Sequence, residues 1–198
     1  MVKRTIQAGW LQGVRRVPSP NADERPAGME PELIVIHGIS LPPGRFGENW
    51  IDDLFTNRLD ADADPYFAEI VGLRVSSHAL IRRDGELVQY VPFHRRAWHA
   101  GKSCWRGREC CNDFSVGIEL EGCDDLAYTE AQYSALAWLT GELLLHYERL
   151  SVDNIAGHSD ISPGRKTDPG PAFQWQRFHD LLGEQVGTPR RTQRGQSE

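Results

Sequence analysis

No stretch of this 198-residue chain approaches the roughly 20 consecutive apolar residues that cross a bilayer; its aliphatic and aromatic runs, such as residues 33–36 and 135–139, are far shorter. A membrane span is excluded, and no membrane partner is expected. An excess of positive charge is equally absent: 22 basic against 28 acidic residues give a formal net charge of −6. That balance lacks the basic footprint of a surface built to neutralise phosphates, so nucleic acid is not expected as a partner. Cysteine is scarce, with Cys104, Cys110, Cys111 and Cys123 confined to one short stretch. They lack the C-x-x-C spacing of a zinc knuckle, and the chain is much larger than a disulfide-stapled scaffold, so free thiols in a reducing compartment are expected. The start, Met1-Val2-Lys3-Arg4, is basic like the head of a secretion signal, but Thr5, Gln7, Gly9 and Gln12 interrupt any apolar core. A cytoplasmic location is the expectation. Internal repeats, low-complexity tracts and long linkers are also lacking.

What is present is the composition of a soluble globular domain, with 39% hydrophobic and 25% charged residues in a length that suits one core. Residues 1–30 are rich in turn formers and aperiodic, an extended lead-in expected on the surface. Residues 31–183 hold the periodic segments. Glu32 to His37 is a short β-branched apolar run, as in a strand covered on both faces, and His37 stands at its end. Residues 50–59 allow a short helix. Two apolar runs bracket Asp84-Gly85 between Val75 and Val91, a strong hairpin signal. In Ser115 to Glu121, Ile118 and Leu120 alternate with Glu119 and Glu121, which predicts a strand with one face in the core and an acidic face toward a cleft or water.

Thr129-Glu130-Ala131-Gln132 reads as a capping box, and Tyr133, Leu136, Ala137, Thr140, Leu143, Leu144 and Tyr147 then recur at helical spacing. Residues 155–158 read as a short strand ending in a turn, and residues 173–182 as a final helix. Residues 184–198 are polar and read as a flexible tail. The order of elements predicts a mixed α/β (α+β) single domain, with one central mixed β-sheet flanked by helices.

Seven histidines occur: His37, His78, His94, His99, His146, His158 and His179. Two of them end apolar runs where a sheet delivers side chains to a cleft. After His158 comes Ser159-Asp160-Ile161-Ser162-Pro163-Gly164-Arg165-Lys166-Thr167-Asp168-Pro169-Gly170, a loop too polar to form core but fixed in path by its prolines and glycines. His37, His158 and Asp168 would make a nitrogen and oxygen ligand set suited to Zn²⁺ with its fourth position open. Spacing alone leaves that reading open beside a structural loop with a solvated aspartate.

Four motifs carry a resemblance: Ile36-His37-Gly38-Ile39-Ser40-Leu41-Pro42-Pro43-Gly44, Ala97-Trp98-His99-Ala100-Gly101, Asn112 through Gly122, and Gly157-His158-Ser159-Asp160 through Gly164-Arg165-Lys166-Thr167-Asp168-Pro169-Gly170-Pro171. In order and content they resemble the zinc N-acetylmuramoyl-L-alanine amidase family, which includes phage T7 lysozyme and peptidoglycan recognition proteins. The resemblance runs from about Trp10 to about Leu182. It implies one zinc ion held by His37, His158 and Asp168, Glu119 as the catalytic carboxylate, and Lys166 assisting at the transition state. It implies as substrate a muropeptide, cleaved between the lactyl group of N-acetylmuramic acid, in its 1,6-anhydro form, and L-alanine during peptidoglycan recycling. A monomer is expected.

Around that centre, Trp98 offers a flat surface to a sugar ring or packs into the core, and His99 is a second candidate for the cleft. Arg74, Arg108 and Arg165 can hold peptide carboxylates by bidentate pairing, with solvated surface arginines as the alternative. One departure from the family pattern is Cys110, where a basic residue often precedes the Cys-Asn-Asp step; Arg108 or Arg106 would then supply that contact. Glu119 and Glu121 on one strand face invite a two-carboxylate glycosidase reading, but such a pair has no use for His37, His158 and Asp168. The other rivals are a peptidoglycan-binding module without catalysis and a phage-type lysin acting on polymeric wall.

Overall fold

A six-stranded mixed sheet organises the chain in the computed structural model, which describes residues 6–187. Its strands are β1 (Arg15–Arg16), β2 (Leu33–Ile39), β3 (Ala79–Ile81), β4 (Leu87–Gln89), β5 (Ser115–Glu121) and β6 (Ile155–Gly157), and they lie in the order β6-β2-β5-β3-β4-β1. The first four in that order run parallel, β3 and β4 pair antiparallel, and β1 joins β4 in parallel. The Asp84-Gly85 turn closes the expected hairpin, with Gly85 at φ +88 beside the Ala131 carbonyl.

The helices are α1 (Trp50–Phe55), α2 (Pro65–Ile70), α3 (Glu130–His146), α4 (His158–Ile161) and α5 (Trp175–Gly187). Strand alternation divides them between two faces. Ile34, Ile36, Val116, Ile118 and Leu120 point to one face, where Tyr133, Leu136 and Leu143 of α3 and Phe178 and Leu182 of α5 cover them. Leu33 and Val35 point to the other, against Phe114, Ala156 and Ile161, while Leu80 and Val88 on that face meet α1 and α2. The β-branched run of β2 is therefore buried on both sides, and its polar fifth residue, His37, needs a polar partner. The capping box of α3 forms in both directions: Gln132 N donates to Thr129 Oγ1 and Thr129 N donates to Gln132 Oε1, each at 3.1 Å.

Three expectations need revision. Residues 6–30 are more than a surface lead-in: Leu11 is fully buried, Arg15–Arg16 form β1, and the buried Arg25 donates to the carbonyls of Asn112, Asp113, Phe93 and Ser115. An aperiodic segment can integrate in this way because its backbone completes a sheet edge instead of burying a stripe. Of the two alternatives for the acidic face of β5, a cleft or water, only the second falls, since Glu119 and Glu121 are both buried. The last helix continues to Gly187, past the expected end at residue 182; the rest of the expected tail, 188–198, lies outside the described residues. Helix α2 had not been anticipated, although Asp64 caps it by accepting from Tyr66 N and Pro65 stands at its first position. Among the described residues no helix is long and apolar enough to cross a membrane.

Candidate metal and catalytic centre

The centre forms at the carboxyl ends of the parallel strands, where open α/β sheets offer a crevice. His37 and Glu119 are direct register partners on β2 and β5, so both side chains leave the same face side by side. Gly157 of β6 pairs with Ile36, which places the next residue, His158, beside His37 at the start of α4. Asp160 accepts from Gly157 N at 2.7 Å and fixes that start. The fourth contributor, Asp168, comes from the polar loop. Ser159 N donates to Asp168 O, Tyr128 Oη donates to Pro169 O, and Ala172 N donates to Asp124 O, so the loop is held on both sides of the carboxylate. The Tyr128 ring fits because Gly38 and Gly122 flank it; a Cβ at either would lie 2.5 Å from a Tyr128 atom.

Three acceptor atoms converge there. His37 Nδ1 lies 2.9 Å from His158 Nδ1, His158 Nδ1 lies 3.1 Å from Asp168 Oδ2, and His37 Nδ1 lies 3.3 Å from the same oxygen. His158 Nε2 donates to the Ala100 carbonyl at 3.2 Å, which leaves its Nδ1 lone pair facing the cluster. Two imidazole lone pairs and a carboxylate oxygen in contact repel one another unless a cation lies between them. A tetrahedral site with zinc–ligand bonds of about 2.0–2.1 Å has edges of about 3.3 Å, close to the separations seen here. His37, His158 and Asp168 thus fit a divalent metal, and among the described residues they are the only such group.

Burial pushes the His37 imidazole down to about 4, so it is neutral and able to ligate. Burial alone would raise Asp168, but the hydrogen bonds and charge of His158 and His37 hold it well below the usual carboxylate range. Glu119 is pushed well above that range by burial and by the neighbouring Asp168 charge. It lies 4.0 Å from His37 Nδ1, and among the described residues no donor is hydrogen-bonded to it. Lys166 is exposed at the rim, and its charge acts on both His37 and Glu119.

The remaining candidates divide. Arg165 is at the centre's edge, donating to the Ala100 and Lys102 carbonyls at 2.6 and 2.9 Å. Its Nη2 is thereby committed to the backbone. Arg108 is paired with Glu32 at 2.6 Å and stacked on Phe114, and Arg106 donates to Asn154 and the Asp153 carbonyl. Neither is a free fork waiting for a carboxylate. Arg74 turns back onto the Val71 and Leu73 carbonyls, and none of its hydrogen bonds reaches the cluster. Trp98 is half-buried with its indole N–H donating to Asp23, whereas its neighbour His99 reaches His37 directly. Glu121 is tied to Arg82 at 3.2 Å and accepts from Gly47 N and Arg83 N. The four cysteines are free thiols.

Sequence reasoning missed Ser115, Gly117 and Asn112 around His99. Alternation along β5 held a usable signal, because Ser115 and Gly117 share the face of Glu119 in a strand otherwise rich in large apolar residues.

This architecture and site have relatives. A family model described as N-acetylmuramoyl-L-alanine amidase matches residues 27–171. The 1,6-anhydro-N-acetylmuramyl-L-alanine amidase AmpD of Salmonella typhimurium (strain SL1344) is 63% identical over 174 residues, 88% of this chain and 92% of the relative. AmpD of Escherichia coli (strain K12) is 61% identical over 181 residues, 91% and 98% of the two chains. A crystal structure of a selenomethionine AmpD derivative superposes with a TM-score of 0.87 at 60% identity, covering 89% of this chain and 98% of that one. The amidase AmiD from E. coli, solved with anhydro-N-acetylmuramic acid-L-Ala-D-γ-Glu-L-Lys, gives 0.56 at 28% identity over 90% of this chain and 65% of that one. With the match covering most of the chain and the sheet and its flanking helices in common, the chain belongs to the N-acetylmuramoyl-L-alanine amidase family.

Proposed function

We propose that this protein hydrolyses the amide bond between 1,6-anhydro-N-acetylmuramic acid and L-alanine in muropeptides, with zinc held by His37, His158 and Asp168. The observation that carries the reading is the convergence of those three acceptor atoms beside Glu119, a carboxylate paired in register with one of them. Zinc, when bound, supplies a Lewis acid that polarises a carbonyl and lowers the pKa of water to about 7. Two neutral imidazoles and one carboxylate leave a net positive charge at such a centre, which an all-thiolate site would not.

The chain's own residues do the rest. Glu119 lies on the cluster side of β5 with no donor among the described residues engaged, free to take a proton from the attacking water and return it to the departing alanine nitrogen. Such acid–base assistance is worth about 10²–10⁴ in rate. In this reading Lys166, exposed in the same loop as Asp168, faces charge that develops on the carbonyl oxygen, an interaction that strengthens toward the transition state. The 60–63% identity to relatives named 1,6-anhydro-N-acetylmuramyl-L-alanine amidase supports the anhydro-muropeptide as substrate; action in cytoplasmic recycling as a monomer completes the proposal.

The test is metal analysis of the purified protein combined with hydrolysis of a soluble anhydromuramyl tripeptide. One equivalent of zinc, loss of activity with a chelator and its return with zinc are expected, as is metal retention with lost turnover in Glu119→Ala. A metal-free protein with full activity would end the proposal, and faster action on intact sacculi than on the soluble peptide would transfer it to a wall lysin.

A further inference from the structure

The far sides of the two histidine ligands are held by consecutive residues. His37 Nε2 lies 2.8 Å from His99 Nδ1, and His158 Nε2 donates to the carbonyl of Ala100. The His99–Ala100 step is itself clamped, because Asn112 Oδ1 accepts from both His99 N at 3.1 Å and Ala100 N at 2.8 Å.

The direction of each hydrogen bond follows from the last acceptor in the chain. Cys111 contributes a carbonyl, which can only accept, so Ser115 Oγ donates to it at 2.6 Å. With its proton committed, Ser115 Oγ accepts from His99 Nε2 at 3.1 Å. A neutral His99 that carries its proton on Nε2 has a bare Nδ1, which accepts from His37 Nε2. The lone pair of His37 is then left on Nδ1, the atom that faces His158 and Asp168. The relay is built to be rigid. His99 is 9% exposed, and the strand opposite it is glycine; a Cβ at Gly117 would stand 2.5 Å from the His99 ring.

We propose that His99 and Ala100, clamped by Asn112 and oriented by Ser115, form one brace shared by both histidine ligands, which fixes the Nδ1 lone pair of each on the metal position. His99 is a positioning residue here: its ring nitrogens are both engaged, and neither faces the cluster. The proposal rests on the reading of the cluster as a metal site. Hydrogen-bond partners behind metal-bound histidines typically contribute 10–100-fold in metal affinity.

The test uses the full chain and zinc alone. Zinc dissociation constants are measured by competition with a chromophoric chelator for the wild type, Asp168→Ala, His99→Phe, His99→Gln and Ser115→Ala. Cobalt(II) ligand-field spectra of each, and the His37 tautomer in the metal-free wild type by nitrogen NMR, are recorded alongside. The brace requires 10–100-fold weaker zinc binding and an altered cobalt spectrum in His99→Phe. It requires partial recovery in His99→Gln, whose amide can both accept from His37 and donate to Ser115, and an intermediate loss in Ser115→Ala. The wild-type His37 should carry its proton on Nε2.

Wild-type affinity and spectrum in His99→Phe, with zinc lost in Asp168→Ala, would overturn the brace and leave the metal site standing. Unchanged zinc binding in Asp168→Ala would remove the metal site itself. Should His99→Phe fail to fold, Ser115→Ala and the wild-type tautomer decide, and a proton found on His37 Nδ1 would refute the proposal.

Discussion

Glu119 and Glu121 stand two residues apart on one face of β5, and their surroundings predict opposite outcomes for the same isosteric change. Glu121 is 2% exposed and accepts from Gly47 N at 2.8 Å, Arg83 N at 3.2 Å and Arg82 Nη1 at 3.2 Å. In Glu121→Gln, one face of the side chain becomes an NH₂ group turned toward donors. Arg82, itself buried, keeps only Asp52 at 3.7 Å and the rim Glu86 at 3.9 Å as counter-charges. Removing one partner of a buried pair costs about 3–5 kcal/mol, and the amide oxygen retains enough hydrogen bonding to place this case near 3 kcal/mol. For a domain of this size each kcal/mol shifts Tm by about 2–4 °C, so a fall of about 6–12 °C is expected. Turnover per folded molecule should stay near the wild-type value.

Glu119 is also buried, but no donor among the described residues is hydrogen-bonded to it. Glu119→Gln exchanges an isolated buried carboxylate for a neutral amide, which leaves stability equal or raised. Its turnover should fall by about 10²–10⁴. Urea unfolding followed by tryptophan fluorescence, together with steady-state hydrolysis normalised to zinc content, reads both quantities for both variants. The reasoning is refuted if Glu121→Gln abolishes turnover at unchanged stability, or if Glu119→Gln unfolds early while still hydrolysing substrate at the wild-type rate.

Other outcomes follow from the packing. His78 is fully buried, accepts from Gly117 N on Nδ1 and faces the Arg25 guanidinium, and burial pushes it down to about 3. Since the folded state holds it neutral, its contribution is complete above about pH 6.5 and is lost as pH falls, by about 1.4 kcal/mol per unit. Urea midpoints measured from pH 7 to 4 should fall more steeply for the wild type than for His78→Asn. Gly170 has φ +81, and a Cβ there would lie 2.3 Å from Asp124 Cα, whereas Gly164 at φ +75 has open space. Melting curves with and without zinc should show Gly170→Ala losing about 1–3 kcal/mol from overpacking beyond the backbone strain that Gly164→Ala shares, with weaker metal binding because Asp168 is two residues away. Removing the α3 cap by Thr129→Ala should cost about 1 kcal/mol by urea denaturation and leave activity unchanged.

Local pattern was enough for much of this molecule. The run before His37, the Asp84-Gly85 hairpin and the Thr129 capping box follow from patterns within a few residues, which is why the sequence by itself determined them; the segment after His158 was legible as polar and turn-rich, but its first residues form α4 and its path is held by Tyr128 and Asp124. The sequence also carried the family motifs, and with them His37, His158, Asp168 and Glu119 as candidates.

Tertiary structure decided the rest, because the deciding contacts join residues far apart in the chain. Alternation put Glu119 and Glu121 on one face alike, but only the arrival of Arg82, Gly47 and Arg83 made Glu121 a structural ion-pair partner. Arg74, Arg108 and Arg165 were equivalent in the sequence, and only the fold shows Arg74 Nη1 and Arg165 Nη2 engaged by carbonyls and Arg108 Nη1 by a carboxylate. The lead-in had no period to read, since β1 contributes backbone to a sheet edge and Arg25 contributes hydrogen bonds to loop carbonyls. Which nitrogen of His37 faces the cluster is the clearest case. That choice passes through His99 and Ser115 to a carbonyl at Cys111, and hydrogen-bond direction is a property of such an assembled chain of partners, which no local pattern encodes.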